Sequence, residues 1–289
     1  MEYRLVVTFD SRPIALKAIR QLTTDFKSCR LESSDQGNSM DNRISTLQYF
    51  SDLQRTAQSS EDVKAICDEF SQAVDLEYYL FGICRLTSLS SPEISTITNY
   101  PDDWMKTYFE EGFQRHDPVV RYCFDNIAPI SWSQLLTMDQ YITPEAEKIF
   151  EKASEIGLKH GLSIPVRSHT GDVAIFSLAT KADANVNERF EKITAITQMF
   201  ATELFNTISR ININQKVEET QKENLTPREV ECLFWACEGK TTWEISKIIE
   251  VSERTVIFHL TSATKKLGAV NRQHAVAKAM ATGLIKPML

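Results

Sequence analysis

Leu225-Thr-Pro-Arg-Glu-Val-Glu-Cys-Leu-Phe-Trp-Ala-Cys-Glu-Gly239 is the stretch that decides how the C-terminal part of the chain folds. Thr226 supplies an N-cap hydroxyl, Pro227 takes the first helical position, and Glu229 stands where a capping box needs its carboxylate. Val230, Leu233, Phe234 and Cys237 form an apolar face, and Gly239 ends the helix in the position that favours glycine. Thr241-Thr-Trp-Glu244 repeats the box and opens a second helix, with Trp243, Ile245, Ile248 and Ile249 expected inside. Val251-Ser252 leaves room only for a tight turn. Ser252 then caps a third helix with Val256, Leu260, Ala263 and Leu267 on one face. Asn271 caps a fourth, with Ala275, Val276, Ala279 and Met280 expected inside and Gly283 after it. Four short helices with a tight turn between the second and third describe a helix-turn-helix unit. A small bundle used for protein contacts fits the same pattern.

Charge separates the two readings. The chain has 289 residues with 32 Lys+Arg and 39 Asp+Glu, a net charge of −7, which taken whole disfavours a phosphate backbone. The charge is unevenly spread. From Glu223 onward nine basic residues face seven acidic ones, a local +2, while residues 1–222 hold 23 basic and 32 acidic residues, or −9. Lys240, Lys265, Lys266 and Arg272 fall at helix ends, where phosphates are usually met. A net of +2 is weak for a phosphate binder and points to two copies acting together.

The length suits two domains of roughly 100–200 residues. No stretch reaches the ~18–20 apolar residues of a membrane-spanning helix, and the N-terminus lacks the apolar core of a secretory signal. The six Cys are scattered without a CxxC, which fits a reducing cytoplasm better than disulfides or a zinc site.

Ahead of the helix-turn-helix, residues 212–222 are polar and carry no apolar stripe, and read as a connector. From Asn42 to about Asn212 helical and strand periods alternate. Tyr79–Leu86, Ile94–Asn99, Gly161–Arg167 and Asp172–Thr180 read as strands, the last two joined by a hairpin turn at Ser168–Gly171. Val63, Ile66, Phe70 and Val74 mark a helix, Asp102–Gly112 and Pro144–Ile156 two more, and Val186 to Ile208 a long helical stripe. The expected architecture is an α/β domain, an antiparallel sheet sandwiched by helices, followed by an all-α four-helix domain. Tyr3–Phe9 and Ile14–Phe26 suggest one strand and one short helix, too little for a core, before the polar stretch Ser33–Ser39.

The residues of the helical domain also resemble the LuxR-type helix-turn-helix: Leu225–Leu233, Gly239-Lys240, Glu244-Ile245-Ser246 and Ser252–Val256 with His259-Leu260. Glu229, Leu233 and Gly239 match three structural positions of that domain. In the preceding half Tyr100-Pro-Asp-Asp-Trp104, Tyr108, Asp117-Pro118, Trp132 and Gly161 fall in the order and spacing of the acyl-homoserine-lactone-binding domain. From Asn42 to Pro287 the chain is identified as a member of the LuxR family of quorum-sensing transcriptional regulators.

The resemblance implies a division into an extension (1–39), an autoinducer-binding domain (40–211), a linker (212–222) and a DNA-binding domain (223–289). Relatives begin just before the helix near Arg43, so Met40 is the expected start. It implies a cytoplasmic homodimer, paired along the Val186–Ile208 stripe, on a palindromic operator in double-stranded DNA, with recognition helices about 34 Å apart. No cofactor, metal or catalytic residue is implied; the ligand is an N-acyl-homoserine lactone. An enzyme of lactone hydrolysis is disfavoured, because Asp117 has no neighbouring His or Cys and no metal-ligand spacing appears. A response regulator is disfavoured by the absence of a receiver-type parallel sheet pattern.

The lactone's chemistry fits the carried-over residues. Trp104 offers an indole N–H for the ring carbonyl, and Asp117 can only accept, which suits the amide N–H. Tyr100 and Ser177 bring hydroxyls for the acyl carbonyl. Tyr108, Phe113, Val119 and Trp132, beside Pro118, would wall the acyl tail, and Gly161 would permit close backbone approach. Each has a plainer reading. Trp104 and Tyr108 at i, i+4 suit a helix core, Asp117-Pro118 an ordinary N-cap, Trp132 plain packing, and Ser177 an ordinary strand. In the third helix Ile257 and Thr261 are placed toward base edges, with Arg254, Thr255, Phe258 and Ser262 nearby, and Thr241 and Lys240 join the helix-end cations toward phosphates. Apolar Ile257 and short Thr261 favour methyl contacts or indirect readout over bidentate guanine recognition.

Overall fold

The computed structural model describes residues 39–85, 92–168, 171–182, 185–219 and 225–286. The strand and helix expected over residues 3–26, and the extension they belong to, lie outside the described residues.

Two helices open the fold, α1 (Ser39–Thr56) and α2 (Ser60–Ala73), the second started by a capping box between Ser59 and Asp62. Then follow β1 (Tyr78–Arg85), β2 (Glu93–Thr98), α3 (Asp102–Glu110), a 3-10 turn (Phe113–Arg115) and α4 (Pro118–Asp125). Next come β3 (Ile130–Ser131), α5 (Trp132–Leu135), α6 (Pro144–Glu155), β4 (His160–Arg167), β5 (Val173–Thr180) and α7 (Val186–Glu219). All strand pairs are antiparallel, in the order β2-β1-β5-β4-β3.

The strand period of two divides the sheet into two apolar faces. Tyr79, Phe81 and Ile83 of β1 and Ala174, Phe176 and Leu178 of β5 point to one side, where α1, α2 and α7 cover them. The centre of that core is aromatic: Phe70 stacks on Phe200 at 3.8 Å, and Phe50 meets Phe70 edge-on at 5.1 Å. Burying such a ring contributes about 1.5–3 kcal/mol. Tyr78, Leu80, Ile175 and Ala179 face the other side and meet α3 to α6. The N-terminal domain is thus an α/β sandwich around a five-stranded antiparallel sheet.

The C-terminal domain holds α8 (Pro227–Cys237), α9 (Thr242–Ile248), α10 (Glu253–Lys266) and α11 (Arg272–Ala281) around Cys232, Leu233, Ile245, Val256, Leu260, Ala263, Ala275 and Ala279. All four caps read from the sequence are made, by Thr226, Thr241, Ser252 and Asn271. The turn between α9 and α10 places Glu250 at φ +56°, a left-handed conformation.

Two expectations need correction. Trp243, Ile248 and Met280, placed inside, are 57%, 41% and 54% exposed. Helix α9 has only seven residues, and Ile245, Ser246 and Ile249 already fill its inner side. The polar connector is not a break in structure: α7 continues as helix through Glu219, because a packed helix can propagate into a mostly polar stretch without nucleating anew.

Candidate functional site: a cavity over the sheet and a helix-turn-helix face

A cavity of about 280 Å³ lies between the second face of the sheet and α3, α4 and α6. That is near the lower end of the ~300–1,000 Å³ usual for small-molecule sites. Leu80, Gly82 and Cys84 of β1, Ile94 and Thr96 of β2, and Val173, Ile175 and Ser177 of β5 form its floor. Trp104, Met105, Tyr108 and Phe109 of α3, Val119, Val120 and Phe124 of α4, and Ile149, Phe150 and Ala153 of α6 form its walls.

The polar groups are few and arranged by local structure. Asp117 caps α4, accepting the Val119 amide at 2.8 Å through Oδ1, with Pro118 at N1. Its Oδ2 accepts the Tyr108 hydroxyl at 2.7 Å. Burial pushes the Asp117 carboxyl up, while hydrogen bonds from Tyr108 and the Val119 and Val120 amides pull it back. Burial, and then the charge of Asp117, push the Tyr100 and Tyr108 phenols well up, so both remain protonated donors. The Tyr100 hydroxyl and the Gln114 Oε1, both lining the cavity, are buried without a hydrogen-bond partner among the described residues. Trp104 packs against Tyr108 and Phe113 with ring centroids 5.9 and 6.1 Å away.

Behind the cavity, Trp132 donates its indole N–H to Ser163 Oγ at 3.0 Å, and Ser163 lies 2.8 Å from Ser177. A Cβ built on Gly161 would sit 2.2 Å from the Trp132 ring.

In the C-terminal domain Arg254, Ile257, Phe258, Thr261 and Lys265 share one exposed stripe of α10, with Thr241 and Lys247 exposed on α9 and its cap. Trp243 carries Lys247 Nζ over its ring at 5.8 Å. Glu229 is 3% exposed and accepts from the Thr226 amide (2.7 Å), Ser262 Oγ (2.6 Å) and Lys266 Nζ (3.0 Å), which locks α8 to α10. Burial alone would raise its carboxyl; these donors, Ser262 foremost, hold it down at about 2. Leu233 is fully buried, and Gly239 ends α8 at φ +77°.

Residues 59–208 match the family model of the autoinducer binding domain, and residues 223–279 that of bacterial regulatory proteins of the luxR family. The chain belongs to the LuxR family. It is similar to the transcriptional activator protein VanR of Vibrio anguillarum, 36% identical over 231 residues, 80% of this chain and 94% of VanR. It is also similar to the transcriptional activator protein LuxR of Aliivibrio fischeri, 35% identical over 232 residues, 80% of this chain and 91% of LuxR. Among solved structures SdiA, whose source is Escherichia coli, in complex with octanoyl-rac-glycerol aligns with a TM-score of 0.71 at 25% identity, over 89% of this chain and all of SdiA. This LuxR-family chain is an autoinducer-binding, DNA-binding transcriptional regulator and not an enzyme. No helix among the described residues is long and apolar enough to cross a membrane.

The cavity brings together seven of the ten ligand residues expected from the sequence: Tyr100, Trp104, Tyr108, Asp117, Val119, Trp132 and Ser177. Pro118 and Gly161 do not line it. Pro118 is buried at the start of α4, and the close approach that Gly161 permits is to Trp132, not to the cavity. Phe113 packs behind Trp104 and Tyr108. Met105 and Phe109 were missed; four residues apart on α3, they line the cavity beside Trp104 and Tyr108. Gln114 gave no signal in the sequence. Of the residues expected at DNA, Arg254, Ile257, Phe258, Thr261, Lys265 and Thr241 are exposed, with Thr255 and Lys240 half-buried. Ser262 and Lys266 turn inward to Glu229, and Arg272 donates to the Lys240 carbonyl.

Proposed function

We propose that the autoinducer of this regulator is an N-acyl-homoserine lactone and that the cavity over the sheet is its site. Trp104 donates to the ring carbonyl, Asp117 accepts the amide N–H, and the Tyr100 and Ser177 hydroxyls meet the acyl carbonyl. Leu80, Ile94, Val119 and Ile175 take the tail. The observation that carries this reading is the Tyr100 hydroxyl, buried in a mostly apolar cavity without a hydrogen-bond partner among the described residues, close enough to Asp117 to feel its charge. A buried polar group without a partner costs about 1–3 kcal/mol, which a ligand carbonyl would recover.

The reading extends to the C-terminal domain. Residues 40–211 act as sensor, 212–222 as the connection and 223–289 as reader, in a cytoplasmic homodimer paired along α7 on a palindromic operator. Ile257 and Thr261 face base edges, flanked by Arg254, Thr255 and Phe258, while Lys240, Thr241 and Lys265 meet phosphates. Ser262, Lys266 and Arg272 support the helices that carry them. As in the proteins to which the chain is similar, the output is activation of transcription.

A second reading follows from the SdiA complex: an acylglycerol in the same cavity, with a glycerol hydroxyl in place of the amide N–H at Asp117. Purification in the presence of N-acyl-homoserine lactones of graded chain length and of octanoylglycerol, followed by mass spectrometry of what stays bound, separates the two. Retention of a lactone is expected, and its loss in Trp104→Ala and Asp117→Ala. Retention of octanoylglycerol alone, or unchanged retention in both variants, would overturn the lactone assignment.

A further inference from the structure

The hydrogen-bond chain behind the cavity has a direction. An indole N–H only donates, so Trp132 must be its start, giving its proton to Ser163 Oγ at 3.0 Å. Ser163 is completely buried and does not line the cavity, so its one hydroxyl proton needs an acceptor within the protein. Ser177 Oγ, 2.8 Å away across the β4–β5 pair, is the acceptor that it meets among the described residues. The reverse direction, Ser177 donating to Ser163, would leave the Ser163 proton without a partner. Donation therefore runs from Trp132 to Ser163 to Ser177, and the Ser177 proton is the one left over. Ser177 lines the cavity.

We infer that Ser163 is a positioning residue: through the chain that starts at Trp132 it makes Ser177 a hydrogen-bond donor toward the cavity. The ligand must then present an acceptor oxygen at that depth, which an acyl carbonyl does and a methylene does not. Gly161, two residues earlier on the same face of β4, serves the same chain, since only a residue without a Cβ lets the Trp132 ring lie where its N–H reaches Ser163. The inference rests on the cavity being the lactone site.

The test is a double-mutant cycle on the full chain, read as the dissociation constant for N-octanoyl-homoserine lactone by titration calorimetry. Ser177→Ala is expected to weaken binding roughly tenfold, the size of one hydrogen bond, and Ser163→Ala about threefold, because the Ser177 hydroxyl then stays but is no longer held in one direction. The double variant is also expected to lose roughly tenfold, because Ser163 acts only through Ser177. A roughly thirtyfold loss in the double variant, or no loss in Ser163→Ala, would overturn the relay while leaving the site in place. Trp132→Phe keeps an aromatic plate and removes the starting donor. It should weaken binding more in the unaltered chain than in Ser177→Ala, where only the lost contact of the larger ring with the cavity remains, and an equal loss in both backgrounds would also overturn the relay. If the unaltered chain does not bind the lactone at all, the ligand assignment fails first and the inference with it.

Discussion

The two domains treat their buried polar groups in opposite ways. In the helix-turn-helix domain the carboxylate of Glu229 has three donors on it and is held at about 2. In the α/β domain the carboxyl of Asp117 is pushed up by burial, and the Tyr100 hydroxyl and Gln114 amide oxygen have no partner among the described residues. The first domain satisfies its own interior. The second leaves polar groups around a cavity that a ligand can satisfy, so ligand should stabilise it and leave the first unchanged. By mass action the gain is about 2.7 kcal/mol at a ligand concentration of 100 Kd.

The largest effect expected from a single substitution is in the sensor. Gly161→Ala drives a methyl group to 2.2 Å from the Trp132 ring, so one of the two must move. We expect a loss of about 3 kcal/mol in the stability of the α/β domain, measured by denaturant unfolding, with no change in the unfolding of the helical domain. A loss shared by both domains would erase the contrast between them.

Glu229→Gln comes next and acts only on the reader, with a cost of about 2 kcal/mol as charge-assisted bonds become neutral ones and Lys266 loses its counter-charge. Its pH dependence has a definite sign. The folded carboxyl titrates at about 2, against an ordinary value near 4.5, so its contribution is full above about 4.5 and is lost as pH falls toward 2. Acid unfolding of the helical domain should steepen in that window, and Glu229→Gln should flatten it. The smallest effect is a gain. Glu250→Gly removes a left-handed side-chain conformation between α9 and α10, and should stabilise the reader by roughly 0.5–1 kcal/mol in the same unfolding experiment.

The contrast also sorts what was legible in the sequence. The reader is built from local rules, and Thr226, Thr241, Ser252 and Asn271 announced its helix starts by residue type alone. Where it misled, as at Trp243, Ile248 and Met280, an apolar residue stands on the outer side of a short helix. Periodicity over seven residues in α9 or ten in α11 does not say which side faces in. The sensor depends on contacts between residues far apart in the chain. Tyr100, Trp104, Tyr108 and Asp117, expected together from their order and spacing, do line one cavity. The partner of Gly161, the hydrogen bond from Trp132 to Ser163 and the place of Gln114 follow from strand register, which composition and spacing do not carry. The two-residue strand Ile130–Ser131 is too short to show a period, and the helical stretch 212–219, whose apolar residues are Ile213 and Val217 alone, is too sparse in them to show a stripe.

Hydrogen exchange of the full chain, followed residue by residue with and without N-octanoyl-homoserine lactone, tests the central claim most directly. The account predicts slower exchange in β1, β5, α3 and α4 on adding lactone, with the amides of α8 and α10 exchanging at the same rate. Equal protection in both domains, or no change in β1, β5, α3 and α4, would contradict it.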